Sequence, residues 1–316
     1  MVQSLTNVQH LSINEFEAEQ RLDNFLLKKL KGVPRSLIYR IIRGGEVRVN
    51  KSRIKPNYRL QAGDNLRIPP LRLAPQREQT IIPSKQLDLL QNSIIFNEHG
   101  LLVINKPCGL AVHGGSGINY GVIEGMRKLY PNLQELELVH RLDRDTSGLL
   151  MLASKRSMLR YLHQQLRDGL VHKQYLALVQ GLWDVNQTNI KASLLKNVLS
   201  SGERIVKVNV DGKFAHTKFK LIQNFANQAS LVEASPITGR THQIRVHAKY
   251  AGHPIAGDDK YGSDDFSQYI YTFTKHKRLF LHAHKLSLTL PNLVKLELTA
   301  ELDNEWQQLI SKLKLL

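Results

Sequence analysis

Four prolines, Pro69, Pro70, Pro75 and Pro83, fall within fifteen residues. Proline lacks an N–H and fixes φ, so this stretch can be neither regular helix nor central strand. The chain must therefore fold as modules on either side of it. The expected division is a loose polar tail over 1–19, a small domain over 20–75, a linker over 76–84 and a larger domain over 85–316. A length of 316 residues is enough for more than one core.

Charge separates the two modules further. Lys and Arg total 44 against 27 acidic residues, a formal net charge of +17. Residues 1–75 hold 14 of those cations and 6 of the carboxylates, a net of +8. Between residues 21 and 72 the only acids are Asp23, Glu46 and Asp64. A polyanionic partner, nucleic acid before an anionic membrane, explains this imbalance better than a merely solvated face does.

The first module reads as two short basic helices on a small sheet. In "RLDNFLLKKLKG", Leu22, Phe25, Leu26 and Leu30 share a helical face, with Gly32 as its stop. In "PRSLIYRIIRGG", Pro34 suits the first turn and Leu37, Ile38, Ile41 and Ile42 form one stripe, ended by Gly44 and Gly45. Arg35, Arg40 and Arg43 lie off that stripe and are the candidate nucleic-acid contacts of this module. "EVRVNKSRI" turns at Asn50-Lys51, and "YRLQAGDNLRIP" predicts a second hairpin around Gly63-Asp64.

Beyond the prolines, short apolar runs recur at Ile94–Phe96, Leu101–Ile104, Leu149–Ala153, Tyr175–Val179 and Leu231–Ala234, interrupted by helical stretches. One such helix takes Thr241 as N-cap and stops at Gly252; another, "DNEWQQLISKLKLL", closes the chain. The mixed order predicts an α+β class with a largely antiparallel sheet.

Chemistry concentrates in "LVHRLDRDTSGLLMLAS", where Asp143 stands between Arg141 and Arg144 in a polar loop between two apolar runs. Strands on both sides would fix a reactive group; an ion-pair loop is the plain structural alternative. In "GRTHQIRVHAKYAGHP", His242, Arg245 and Lys249 recur on one helical face. Arg245 can reach a carboxylate and orient it, or the face can meet phosphate. Tyr175 in "LVHKQYLALVQG" shares a strand face with Lys173 and Ala177. It is either core or a ring that stacks on a base and passes a proton.

Other signals exclude. The single cysteine, Cys108, forbids an internal disulfide and a paired-thiolate zinc site. The histidines form no HExxH or two-Cys two-His pattern, and the zinc-deaminase signature is absent, so no metal is expected. "HGGSG" at 113–117 lacks phosphate-loop spacing and predicts a mobile loop. The start "MVQSLTNVQHLS" carries no secretory pattern, and no apolar run nears the ~18 residues of a membrane span. A cytoplasmic protein with no membrane association is expected.

These stretches resemble the RluA-type pseudouridine synthases. "HRLDRDTSG" looks like the family's central motif, "KQYLALVQG" its second, "GRTHQIRVHAKYAGHPIAGDDKYG" its third and "RLFLHAHKLSL" a late strand. Residues 20–66 resemble the S4 RNA-binding domain. "AVHGGSGINYGVIEGMR" and "ELVHRLDRDTSGLL" look most similar to the C group, which acts on the ribosomal large subunit. The resemblance implies a pseudouridine synthase fold, a mixed sheet with flanking helices and a central cleft, behind an S4-like module. It implies isomerisation of specific uridines in 23S large-subunit ribosomal RNA, with no cofactor, nucleotide or metal. Asp143 matches the catalytic aspartate, Tyr175 the active-site tyrosine and Arg245 the arginine that pairs with the acid. Arg141 matches the arginine that enters the stack when the base flips out, and Lys173 and Ile244 shape the pocket. Three routes stay open for Asp143: stabilising a cationic ribose, attacking C1′, or taking a proton from C2′. A monomer is expected. The rival expectation is a non-catalytic S4-type ribosome assembly factor, which would need no Asp143.

Overall fold

In the computed structural model, which describes residues 4–5, 7–30, 33–72, 81–115, 118–133, 135–198 and 204–315, the main break between two structural units falls between Ile81 and Ile82. Gly32, residues 116 and 117 of "HGGSG" and positions 76–80 of the expected linker lie outside the described residues.

The first unit runs β1 (Ser4–Leu5), β2 (Gln9–Ser12), α1 (Leu22–Lys29), α2 (Arg35–Arg43), β3 (Arg48–Val49), β4 (Ser52–Arg53), β5 (Asn65–Ile68) and β6 (Leu71–Arg72). Helices of 8 and 9 residues do not persist alone in water. Here Leu22, Phe25, Leu26, Ile38, Ile41 and Ile42 are buried in one core with strand and loop residues. Each contributes roughly 1.5–3 kcal/mol on full burial, and that packing holds the helices. Pro34 caps α2 with φ −57, and Arg35, Arg40 and Arg43 face solvent.

Two expectations fail in this unit. Residues 9–12, expected in a loose tail, form β2, which pairs antiparallel with β5 so that Leu11 meets Leu66. Ile13 follows it into the core at 2 % exposure. With Leu11 its one apolar residue in four, "QHLS" is too sparse a pattern to announce a strand. The hairpin expected around Gly63-Asp64 also does not form: β5 pairs with β2 and β3, and the 58–60 arm makes a single bridge, Arg21 to Arg59. The buried Asp64 carboxylate accepts from the Gln61 N–H (2.8 Å), the Tyr58 hydroxyl (3.0 Å) and Asn50 Nδ2 (2.7 Å), which bends that arm off the ladder.

The second unit opens with α3 (Ser84–Gln91), capped by Pro83. There follow β7 (Ile94–Glu98), β8 (Leu101–Lys106), α4 (Val122–Leu129), β9 (Glu137–Leu138), β10 (Ser147–Ala153), α5 (Arg156–Arg167), β11 (His172–Gln180), β12 (Asn189–Lys191), β13 (Leu194–Val198) and β14 (Arg204–Val208). The chain closes with β15 (His216–Phe225), β16 (Ala229–Pro236), α6 (Gln243–Tyr250), α7 (Asp264–Thr274), β17 (Leu281–Thr289), β18 (Lys295–Thr299) and α8 (Asn304–Leu313). Ten strands form one sheet in the order β12-β15-β16-β11-β17-β10-β8-β7, with β18 on β17 and β9 on β10. Every pairing is antiparallel except β10 with β17. The class is α+β, as expected.

Burial follows position in the sheet. β10, near the middle, is buried at all seven residues and reads as one apolar run. β15, nearer the edge, alternates buried Thr217 and Phe219 with exposed Lys218 and Lys220. The decisive register lies at Ala283 of β17. It pairs with Gly148 on one side and Tyr175 on the other. Gly148 has φ +103, and a Cβ there would stand 2.3 Å from the Ala283 carbonyl. Only glycine lets β10 close on β17 at this level. The loop before β10 is thereby brought within two strand spacings of Tyr175, roughly 10 Å.

Candidate active site

Asp143 lies on the loop between β9 and β10, with its side chain 30 % exposed. Its Oδ2 accepts a hydrogen bond from Arg245 Nη1 at 3.2 Å. Its neighbours in sequence do not pair with it. Arg144 binds Asp145, and Arg141 extends into solvent with no bonded partner among the described residues. The guanidinium that meets Asp143 comes from 102 residues further along the chain.

The loop is held from behind. Lys106, fully buried at the end of β8, donates its three Nζ protons to the carbonyls of Pro107 (2.9 Å), Leu110 (2.9 Å) and Arg144 (2.8 Å). Burial pushes its pKa down to about 8. Cys108 Sγ donates to the Asp145 carbonyl at 3.0 Å. At the other end, Ser147 Oγ donates to His282 Nδ1 (2.9 Å), and His282 Nε2 donates to the Ala300 carbonyl (3.2 Å). Burial pushes His282 down to about 4. His140 is half-buried and its pKa is pushed down by burial to about 3, so its Nε2 accepts the Met151 N–H at 3.1 Å. The Asp143 carboxylate thus rides on a loop fastened at both ends to the sheet.

Arg245 is 4 % exposed, although an open polar face was expected for its helix. Its Nε and Nη2 donate to Asp258 at 2.7 and 2.6 Å, and Nη2 also reaches Asp259 at 2.9 Å. Burial alone would lower its pKa; the bonds and charges of Asp258 and Asp143 outweigh that and raise it. Burial likewise pushes Asp258 up, and Arg245 more than reverses it. Only Nη1 remains for Asp143. The reading of α6 as a basic face against phosphate therefore fails for Arg245, and the exposed Lys249 alone keeps that option. The start of α6 also differs: His242, not Thr241, is the N-cap, in a left-handed conformation (φ 51, ψ 21) without a side-chain capping bond.

Tyr175 is 8 % exposed on β11, immediately after a bulge at Gln174. Burial raises its phenol pKa, and the charge of Asp143 raises it further. Lys173 stands before that bulge, half-buried, its pKa lowered by burial. Ile244 is packed in the main core beside Arg245. Asp143, Arg245 and Tyr175 therefore converge. Asp258, Lys106, His282 and Tyr261 were not singled out in the sequence, and only "GDDKYG" on the heels of α6 gave a hint of the acid that holds Arg245.

In the first unit, the α2 arginines stand exposed, and Arg43 lies 5.8 Å from the Tyr39 ring. A separate open groove of about 630 Å³ is walled by Gly45, Glu46, Arg48, Lys51, Arg53 and Arg67. Arg67 donates to the Glu46 carbonyl (2.6 Å) and Arg48 to the Gly45 carbonyl (3.2 Å), so main-chain oxygens aim these guanidinium groups without neutralising them. Gly45 has φ +72, and a Cβ there would fall 2.4 Å from Arg53 Nε.

Comparison with known proteins bears on this geometry directly. A family model described as RNA pseudouridylate synthase matches residues 100–250, and an S4 domain model matches residues 20–66. The protein named ribosomal large subunit pseudouridine synthase C of Haemophilus influenzae is 55 % identical over 313 residues, 98 % of this chain and 96 % of that one. This chain belongs to the RNA pseudouridylate synthases. The Escherichia coli (strain K12) protein of the same name is 52 % identical over 311 residues, 98 % of this synthase and 97 % of its relative. Among solved structures, human RNA pseudouridylate synthase domain containing 4 superposes with a TM-score of 0.60 at 25 % identity, covering 73 % of this chain and 96 % of that one. The synthase is an isomerase that carries an S4 domain, and the binding-only alternative falls with that finding. Among the described residues no helix is long and apolar enough to cross a membrane.

Proposed function

We propose that the synthase converts specific uridines of 23S large-subunit ribosomal RNA to pseudouridine, with Asp143 as its catalytic carboxylate. The observation that carries this reading is the single hydrogen bond from buried Arg245 to Asp143 Oδ2. Arg245 has its other donors committed to Asp258 and Asp259, so it acts as a rigid post rather than a mobile counter-ion. A post of this kind leaves Oδ1 for the ribose.

The reaction breaks the bond from uracil N1 to C1′, turns the base and joins C5 to C1′. The proton leaves C5 and one returns to N1, so atoms balance and no oxidant, reductant or cofactor is required. A carboxylate at C1′ serves each of three routes: it stabilises the cationic ribose, forms an ester at C1′, or removes the C2′ proton. The uridine must leave its stack to reach the loop, at a cost of a few kcal/mol. Arg141, exposed on the same loop, is assigned to fill the gap, and Tyr175 to pack on the uracil and assist loss of the C5 proton. Lys173 and Ile244 shape the pocket around them. The first module grips RNA through Arg35, Arg40 and Arg43 of α2 and through the groove cations. The synthase is taken to work in the cytoplasm as a monomer.

The test is pseudouridine mapping of large-subunit ribosomal RNA from a strain lacking the gene. Specific sites should disappear, return with the wild-type chain, and stay absent with Asp143→Asn. An unaltered map in the deletion strain would refute the substrate, and sites restored by Asp143→Asn would refute the assignment of the acid.

A further inference from the structure

His242 is the residue of the site whose geometry is most constrained and least explained by the reaction as described. A left-handed conformation at a residue that is not glycine costs about 1–3 kcal/mol and persists only where surroundings enforce it. Here it turns the imidazole inward, leaving the side chain 12 % exposed, with Nε2 3.8 Å from Asp143 Oδ1. That oxygen accepts no hydrogen bond among the described residues, since Arg245 takes only Oδ2.

The other ring nitrogen, Nδ1, lies 2.8 Å from the hydroxyl oxygen of Tyr261. Tyr261 is buried, and its oxygen already accepts the Val206 N–H of β14 at 3.0 Å. A phenol has one proton to give. With its oxygen engaged by Val206, the proton of Tyr261 goes to the one further partner it has among the described residues, His242 Nδ1. The imidazole proton must then sit on Nε2, pointing at Asp143. Tyr261 cannot easily swing away, because the Arg245 guanidinium covers its ring at 5.1 Å. Burial favours the neutral ring with its single N–H; Asp143 opposes this, and Arg245 and Lys260 support it.

We propose that His242 is a positioning residue for Asp143: the relay from the Val206 N–H through the Tyr261 hydroxyl locks the Nε2–H tautomer and aims that N–H at Oδ1. Arg245 fixes one oxygen of the carboxylate, and His242 limits the rotation of the other. Oδ1 is thereby presented to C1′ in one orientation. The relay also ties the β13–β14 hairpin, through one main-chain amide, to the reacting group. This inference rests on Asp143 being the catalytic carboxylate.

The test uses the full-length protein and a transcript of the large-subunit RNA segment that contains a mapped site. Long-range proton–nitrogen spectra of histidine-labelled protein report the tautomer, with the His242 signals assigned by their loss in His242→Gln. The wild type should show Nε2–H, and Tyr261→Phe should show a mixture with Nδ1–H. Single-turnover rates should fall on the order of 10- to 100-fold in His242→Ala, as small misplacements of a reacting group do, while RNA affinity holds. His242→Gln, whose amide can place an N–H near the Nε2 position, should recover most of the rate. A wild-type Nδ1–H tautomer at His242 would overturn the proposal whatever the rates of the variants. So would a wild-type rate in His242→Ala alongside an inactive Asp143→Asn. Turnover by Asp143→Asn itself would instead remove the catalytic reading beneath it.

Discussion

The two cationic regions of the synthase use arginine in opposite ways. In the first unit, Arg35, Arg40, Arg43, Arg48 and Arg53 stand exposed, and the groove guanidinium groups that form hydrogen bonds are aimed by main-chain carbonyls. In the second, Arg245 is buried, held by two aspartates and left with one donor for a third. The first arrangement spends many solvated charges on a long polyanion whose phosphates are interchangeable. The second fixes one charge so that one oxygen pair is oriented. Number matters in the first region and geometry in the second.

That contrast breaks most sharply at Asp258. Asp258→Ala leaves Arg245 buried without its bidentate partner, which should cost about 3–5 kcal/mol of stability. Urea unfolding at neutral pH measures it, and a loss under 1 kcal/mol would mean that Arg245 is not the rigid post described. No single arginine of the first unit should approach that figure, since exposed charges contribute little to folding.

Comparable in size, ring for ring, is acid sensitivity. His140 and His282 are depressed by burial to about 3 and about 4. Below the ordinary histidine value of about 6.5, the unfolded chain binds protons that the folded one refuses. Stability is therefore intact above that pH and falls as pH drops, by up to about 1.4 kcal/mol per unit for each ring, until the folded-state values are reached. His140→Gln, which keeps an acceptor for Met151, should flatten the slope between pH 4 and 6.5 by about one proton. An unchanged slope would show that the ring charges in the folded state.

The smallest effects belong to the groove. Arg53→Gln and Arg67→Gln should each reduce the slope of log affinity against log salt by about 0.7–0.9, with turnover of bound RNA unaltered. If only Arg35, Arg40 and Arg43 carry that slope, the helix and not the groove faces the phosphates.

The residues most legible in the sequence were those whose pattern is local. The α2 stripe, the continuous run of β10 and the amphipathic α8 are set by spacing within one element, and each forms where spacing places it. Asp143 was marked by its own loop and by the motif around it. What stayed hidden depends on pairing across distance. β2 gains its ladder from β5, so its own sparse pattern says little. Lys106 looks like any charged residue at a strand end until three carbonyls close around it. Arg245 looks like one of three cations on a polar helix face until Asp258, 13 residues on, buries it.

The central claim is that a carboxylate fixed by a buried guanidinium does the chemistry while separate cations do the holding. Single-turnover pseudouridine formation, measured with RNA affinity on the same preparations of wild type, Asp143→Asn and Arg245→Gln, tests it most directly. The expected result is no detectable product from Asp143→Asn and a rate lowered at least 100-fold in Arg245→Gln, both with RNA bound as tightly as by the wild type. Product formed by Asp143→Asn at a rate within tenfold of the wild type would contradict it.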